Sequence, residues 1–123
     1  MNVNAVADAI AVYIKTKHPR VYLNKSPQNR VFPYVVYRVD GVINTVPSDD
    51  MYINIDIYDD VNVSVRGMED LADLIDNDLN LTVIDTDVLN MHFDREQRQY
   101  IPVVELLTTH LINLRYTVRV YFK

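Results

Sequence analysis

The segment Arg30-Val31-Phe32-Pro33-Tyr34-Val35-Val36-Tyr37-Arg38-Val39 marks where the sheet of this chain begins. Its β-branched and aromatic residues favour a strand from Tyr34 to about Val39. A proline is tolerated at the first residues of a strand, because its missing N–H does not interrupt the ladder there. Asp40-Gly41 then predicts a turn or bulge, after which the strand continues. The proline therefore separates a helical N-terminal part from a predicted sheet.

Two amphipathic helices are predicted, one before this strand and one well after it. The first has an apolar stripe at three- and four-residue steps, formed by Val3, Val6, Ala7, Ile10 and Ile14. The second runs from about Val63 to Leu79, with a buried stripe formed by Val65, Met68, Leu71, Ala72, Ile75 and Leu79. Its outer face is acidic and carries Glu69, Asp70, Asp73 and Asp76. That face is either a solvated surface or one selected for a basic partner or for repelling DNA phosphates.

Three further strands are predicted from an alternation of apolar and polar residues. The second strand has Met51, Ile53, Ile55 and Ile57 on one face. A third strand runs from Val88 to about Asp94, and the polar segment 95–102 after it is predicted to project as a loop. The last strand has Ile112, Leu114, Tyr116, Val118, Val120 and Phe122 on one face. One apolar and one polar face are typical of an antiparallel sheet that is covered on a single side.

The predicted fold class is therefore α+β, in the order α-β-β-α-β-β. A roughly four-stranded antiparallel sheet has two helices packed on one face, and residues 1–123 form a single domain. The opposite face of the sheet keeps Tyr52, Tyr58, Arg115, Arg119 and Tyr121. Tyrosine and arginine favour protein interfaces, whereas aromatic pairs across strands can also stabilise a sheet, so both interpretations stay open.

Composition excludes several classes of protein. The chain has no cysteine, so it forms neither a disulfide framework nor a thiolate metal site. It has no signal peptide at its N-terminus and no run of about 18 apolar residues, which predicts no contact with a membrane. A net charge of −5 argues against a dedicated nucleic-acid binder, which would carry a basic face.

A search for chemistry finds no catalytic signature. The three histidines show no metal-ligand spacing, and no serine lies in a Gly-x-Ser-x-Gly motif. A metal nuclease built on Asp40, Asp56 and Glu69 stays a formal alternative, although it lacks the lysine that such sites usually add. We therefore predict no catalytic, cofactor-binding or metal residues, no cofactor and no enzymatic activity. The candidate sites are interface residues, namely Arg95, Gln97, Arg98 and Tyr100 in the predicted loop and Tyr52, Tyr58, Arg115 and Arg119 on the open face.

The order of these motifs resembles a known family. A first helix, a polar loop with proline and then Phe32-Pro33-Tyr34-Val35-Val36-Tyr37 is similar to the start of small tail-completion proteins of long-tailed bacteriophages. The similarity continues through Tyr52-Ile53-Asn54-Ile55-Asp56-Ile57-Tyr58, the helix around Gly67–Ile75, and Tyr116-Thr117-Val118-Arg119-Val120-Tyr121. It covers nearly the whole chain in order and length. The family resembled is that of tail terminators, also called tail-to-head joining proteins.

This resemblance implies a structural role in a virion. The chain would form a homo-oligomer, a hexameric ring that caps the tail tube, ends tube polymerisation and joins the tail to the head connector. Its implied partners are the major tail tube protein and the head-completion or connector protein, with DNA only passing through the ring. The implied location is the tail or neck of the virion, assembled in the host cytoplasm. Two alternatives remain, a head-completion or neck connector subunit and a small non-phage α+β regulatory or enzymatic module.

Overall fold

The computed structural model describes residues 3–25, 31–44, 48–102 and 109–123. The described part contains two helices, α1 (Val3–Lys15) and α2 (Arg66–Leu79). Its strands are β1 (Val21–Leu23), β2 (Tyr34–Asn44), β3 (Asp49–Asp60), β4 (Val83–Asp85), β5 (Leu89–Ile101) and β6 (Thr109–Phe122). They form one sheet in the order β1-β2-β3-β6-β5-β4. The pair β1–β2 is parallel and the other pairs are antiparallel, so the sheet is mixed.

The predicted α+β class is confirmed, and the sheet is larger than predicted. Its four long strands are the predicted antiparallel ones, and two short edge strands extend the sheet to six. Strand β1 is joined to β2 by backbone bonds such as Val35 N to Arg20 O (3.0 Å) and Asn24 N to Tyr37 O (2.9 Å). Each edge strand is three residues long, which is too short for an alternation pattern to be visible in the sequence.

The cis peptide bond Phe32–Pro33 lies directly before β2. The carbonyl of Pro33 accepts hydrogen bonds from Nε2 of His18 (2.8 Å) and from Nε of Arg20 (3.0 Å). These contacts fix the end of the first helical region against the start of the sheet. The strand therefore begins directly after the proline, as the sequence predicted.

The centre of the sheet is the pair β3–β6. Its twelve consecutive residue pairs run from Asp49–Val120 to Asp60–Thr109 with no register shift. The neighbouring pair β2–β3 has a register shift between Asp40 and Ile43, which confirms the bulge predicted at Asp40-Gly41. Gly41 has a φ of +57°, and a Cβ there would lie 2.7 Å from Cδ2 of Tyr52. Both its backbone angle and its surroundings therefore require glycine.

The main core lies between the helices and one face of the sheet. Most residues of the two predicted helical stripes are buried there, as are alternate residues of β3 and β6. In α1 the exception is Val3, which is only partly buried. Two details of the α2 prediction are wrong. The helix begins at Arg66 and not at Val63, so Val65 precedes the helix and is 38% exposed. Asp76, predicted on the outer face, is buried.

The sheet curls around α1. This helix contacts β1 and β2 at one edge of the sheet, and it also lines a groove with residues of β4 near the opposite edge. Among the described residues, no helix is long and apolar enough to cross a membrane.

Candidate interaction surfaces

The segment 95–102 was predicted as a projecting loop, and this prediction is wrong. Strand β5 continues to Ile101 and pairs with β6 along that length. A register shift between Arg95 and Gln97 inserts one extra residue into β5. In a regular strand, Arg95 and Arg98 would point to opposite faces of the sheet, because they are three residues apart. With the extra residue, Arg95 lies opposite Tyr116 and Arg98 opposite Leu114, so both arginines lie on the helix side.

Arg95 forms an ion pair with a buried acid of α2. Its Nη1 lies 2.6 Å from Oδ2 of Asp76, and the hydroxyl of Tyr116 donates a 2.6 Å hydrogen bond to Oδ1 of the same carboxylate. Asp76 is only 6% exposed. The side chain of Asn80 also accepts a hydrogen bond from the backbone N–H of Arg95 (2.8 Å). The contacts of Arg95 therefore connect β5 to α2 within one chain.

Arg98 also pairs with acids of α2, which lie about one turn and two turns before Asp76 in the helix. Its guanidinium bonds to Glu69 and, through Nη1 at 2.7 Å, to Asp73. Both carboxylates are near-neighbours on one face of the helix. The acidic face of α2 is therefore partly neutralised by the chain's own arginines. Asp78, near the end of the helix, is paired with Nζ of Lys17 (2.5 Å), whereas Asp70 is exposed.

Tyr100 and Gln97 complete the segment. The Tyr100 hydroxyl lies 3.0 Å from Nδ1 of His110, and its ring meets the imidazole edge-on at 5.7 Å between centroids. His110 is only 2% exposed, and its Nε2 has no hydrogen-bond partner. Gln97 lies on the other face of the sheet, where it donates to Gln99 (2.6 Å). The four predicted residues of this segment thus do not form one surface.

The open-face residues do share one side of the sheet, but they fall into separate clusters. The Arg115 guanidinium lies 4.2 Å from the centre of the Tyr52 ring, a distance at which a cation–π interaction is favourable. The Tyr58 ring stacks on Tyr34, with centroids 5.0 Å apart. Arg119 lies beside Asp50, at 3.6 Å between Nε and Oδ1. Most of these side chains therefore already have partners within the chain, as the cross-strand interpretation expected.

Between these clusters, the open face contains a buried polar patch. Asn113 donates hydrogen bonds to Asp56 (2.6 Å) and to Asn54 (3.4 Å). Arg38 lies 3.6 Å from the Asp56 carboxylate. Burial raises the pKa of Asp56, although the hydrogen bond from Asn113 and the charge of Arg38 act in the opposite direction. The strand alternation predicted these positions as polar but did not predict their burial.

A recess of about 300 Å³ lies at the other end of the open face, lined in part by Asp50, His92, Asp94 and Arg119. Its charges are mixed in sign. Among the described residues, no group of three or more histidine, aspartate or glutamate side chains could hold a metal ion. Of the three acids of the formal nuclease alternative, Asp40 and Asp56 both lie beside Arg38 on the open face. Glu69 lies on α2 on the other side of the sheet, so the three do not form one site.

A second opening, larger than the recess, was not predicted from the sequence. A groove of about 510 Å³ lies between α1 and the β4–β5 hairpin, and we name it the α1–β4 groove. Its lining residues are Ala5, Asp8, Ala9, Val12, Tyr13, Ile84, Asp85, Thr86 and Val88. Val12 is 69% exposed and lies outside the buried stripe of its helix. In the sequence, this groove could have been suspected only from Val12, a large apolar residue on the outer side of an amphipathic helix.

A second apolar surface lies between β3 and α2. We name residues 61–66 the valine segment, because Val61, Val63 and Val65 are all exposed there. Asp60 fixes its turn, accepting hydrogen bonds from the backbone N–H of Asn62 (2.9 Å) and of Val63 (3.0 Å). The sequence assigned Val63 and Val65 to the helix, which concealed this surface.

Comparisons with known proteins place this architecture among solved folds. No protein-family model matches the chain, and no curated protein matches it. A chain from a structure described as the virion of a native gene transfer agent (GTA) particle matches with a TM-score of 0.69 at 14% identity, covering 95% of this chain and 98% of that one. A second solved chain, of unstated function, matches with a TM-score of 0.67 at 14% identity, covering 100% and 98%. At this identity the likeness shows a common fold.

Proposed function

We propose that this chain is a structural subunit of a phage-type virion. It caps the tail tube as a hexameric ring, ends tube polymerisation and joins the tail to the head connector. The observation that carries this proposal is the match, over nearly the full length of both chains, to a chain of a gene transfer agent virion. The order of sequence motifs supports the same role, because it resembles tail terminators over nearly the whole chain.

The surfaces of the molecule are consistent with assembly. A ring of identical subunits needs two different complementary surfaces on each subunit. The α1–β4 groove and the valine segment are two apolar surfaces of different shape on one chain. Exposed apolar groups that are clustered favour contacts with other proteins.

The charge of the chain suits a ring through which DNA passes. Each chain carries a net charge of −5, and a ring of six carries six times that charge. A surface of this sign repels phosphates and so does not hold passing DNA. The proposed location is the tail or neck of the virion, and the partners are the tail tube protein and the connector.

Deletion of the gene from the genome that encodes it tests the role. We expect tail tubes that exceed their normal length and heads that carry no tails, both visible by electron microscopy, and recovery when the chain is supplied in trans. Tubes of normal length beside heads with an incomplete neck would instead indicate a head-completion subunit. Normal particles would contradict both structural roles. A strict dimer with a bound metal, found by native mass measurement, would favour the enzymatic alternative.

A further inference from the structure

We propose that the α1–β4 groove of one copy binds the valine segment of a second copy. This inference rests on the proposed function, since a ring requires a contact between copies, but the ring itself does not determine which surfaces meet. The contact is head-to-tail, because the groove and the segment are different parts of the same chain. Each copy therefore offers one groove and one segment to two different neighbours.

The valine segment exposes apolar side chains although the start of α2 already has a polar cap. The hydroxyl of Ser64 accepts a hydrogen bond from the backbone N–H of Arg66 (3.2 Å), so this serine caps the first turn of the helix. Val65 has helical backbone angles, and its side chain makes no capping bond. Val61, Val63 and Val65 are therefore three exposed valines within five residues that capping of the helix does not require. Clustered exposed apolar groups of this kind favour contacts with other proteins.

The groove provides the apolar environment that these valines lack. Its volume of about 510 Å³ accommodates several side chains, and its lining includes Val12, Ile84 and Val88. Val12 and Val88 are each more than half exposed in the single chain. Burying exposed methyl groups on both sides of a contact provides the main driving force for association.

Charge supports this particular occupant. Asp8 lines the groove, and among the described residues it forms no ion pair. Arg66 ends the valine segment and likewise forms no ion pair within the described ranges. The other acid of the groove, Asp85, already bonds Lys123 at 2.7 Å. Each surface therefore leaves one charge unpaired, and the two charges have opposite sign, as complementary surfaces require.

The two surfaces cannot meet within one chain. The valine segment follows Asp60, which pairs with Thr109 at the start of β6. The groove lies beside Leu89, which pairs with Phe122 at the end of β6. Fourteen residues of extended strand separate these ends by roughly 40 Å. A contact between different surfaces of identical chains generates a closed ring or an open filament, and a ring is what the proposed function requires.

Charge reversal tests the contact on the whole chain. We expect Asp8→Arg and Arg66→Asp each to weaken self-association at least about tenfold in sedimentation velocity, because each places like charges together. The double variant D8R/R66D should recover native association, since every contact again joins opposite charges. Asp94→Arg is the matched control, because it makes the same charge change as Asp8→Arg at an exposed position of β5 on the open face of the sheet, away from both surfaces. Association that is unaffected by both single reversals would overturn the proposed contact.

Cross-linking identifies the surfaces directly, because the chain has no cysteine of its own. Val12→Cys and Val63→Cys replace exposed side chains, so both variants should fold. Under oxidation, a mixture of the two single variants should give covalent dimers that contain one of each. The same mixture with Leu74→Cys in place of Val63→Cys should give none. Dimers within the Val12→Cys variant alone would indicate a symmetric contact and overturn the proposal.

The outcomes separate this contact from the proposed function. If the chains form rings and cap tubes but the Val12–Val63 cross-link does not form, the proposed function is supported and the proposed contact is contradicted. If the chains remain monomeric both in solution and in assembled particles, the proposed function and the proposed contact are both contradicted. The cross-link should therefore be sought in purified protein at high concentration and in particles assembled from the variant chains.

Discussion

The hydroxyl of Tyr116 on β6 donates a 2.6 Å hydrogen bond to the buried carboxylate of Asp76 on α2. Arg95 of β5 reaches the other oxygen of that carboxylate. Burial, followed by the bond to Asp76, raises the pKa of Tyr116 well above its ordinary value. These three side chains link two strands to one helix, and they explain how an acid is accommodated close to the C-terminal end of α2.

Replacing Arg95 should therefore destabilise the fold. We expect Arg95→Met to lower the free energy of unfolding by about 1–3 kcal/mol, because it leaves a buried carboxylate with one partner fewer. Arg119→Met is the matched control, since Arg119 is mostly exposed and lies 3.6 Å from its acid. It should change stability by less than about 0.5 kcal/mol. Chemical denaturation measures both values, and equal effects would mean that the buried ion pair adds nothing.

Asp56 should make stability depend on pH. Burial raises its pKa, despite the bond from Asn113 and the charge of Arg38, while Asp40 adds to the rise. The folded chain thus binds this proton more tightly than the unfolded chain. The resulting stability is complete below the ordinary pKa of 3.8 and is lost as the pH rises through the raised pKa. Asp56→Asn removes this titration.

The difference in unfolding free energy between Asp56→Asn and the native chain should therefore increase as the pH rises from about 4 to about 7. Denaturation curves at a series of pH values provide the measurement. Asp94→Asn, an exposed acid on the same face of the sheet, supplies the background. A difference for Asp56→Asn that stays constant across this range would contradict the prediction.

Gly41 and Tyr52 should be energetically coupled. Gly41→Ala introduces a left-handed alanine and places its Cβ against the Tyr52 ring, so we expect a loss of about 1–3 kcal/mol. Tyr52→Ala removes the contact but not the backbone strain. In a double-mutant cycle, Gly41→Ala should be less costly in the Tyr52→Ala background. The same loss in both backgrounds would show that the ring moves aside freely.

Val65 should matter for association more than for stability. The Ser64 hydroxyl already caps α2 by accepting a hydrogen bond from the Arg66 N–H (3.2 Å), and Val65 is 38% exposed. We therefore expect Val65→Ser to change the free energy of unfolding by less than about 0.5 kcal/mol, as is usual for an exposed position. The same variant should weaken self-association in sedimentation velocity, because it removes apolar surface from the valine segment. Ser64→Ala, which removes the cap, should lower the free energy of unfolding by about 1 kcal/mol, and an equal loss in Val65→Ser would contradict this assignment of the cap.

The sequence predicted those features that repeat along the chain. The alternation in β3 and β6 and the stripes of both helices identified most of the main core. Single-residue events were not visible. The bulge after Arg95 reverses which face Arg98 occupies, and its sequence, Arg-Glu-Gln-Arg, reads as a polar loop. The start of α2 was misplaced because Val63 and Val65 continue the apolar spacing of the helix, although they lie outside it.

The unbroken β3–β6 ladder has a mechanical consequence for a chain of connected copies. The valine segment leaves β3 at one end of this ladder, and the α1–β4 groove lies at the other. Tension passed from copy to copy through these surfaces would run along the strands and perpendicular to their hydrogen bonds. The twelve residue pairs of the ladder would then be loaded in shear and would resist the tension together. A force applied across the strands would instead break the pairs one after another.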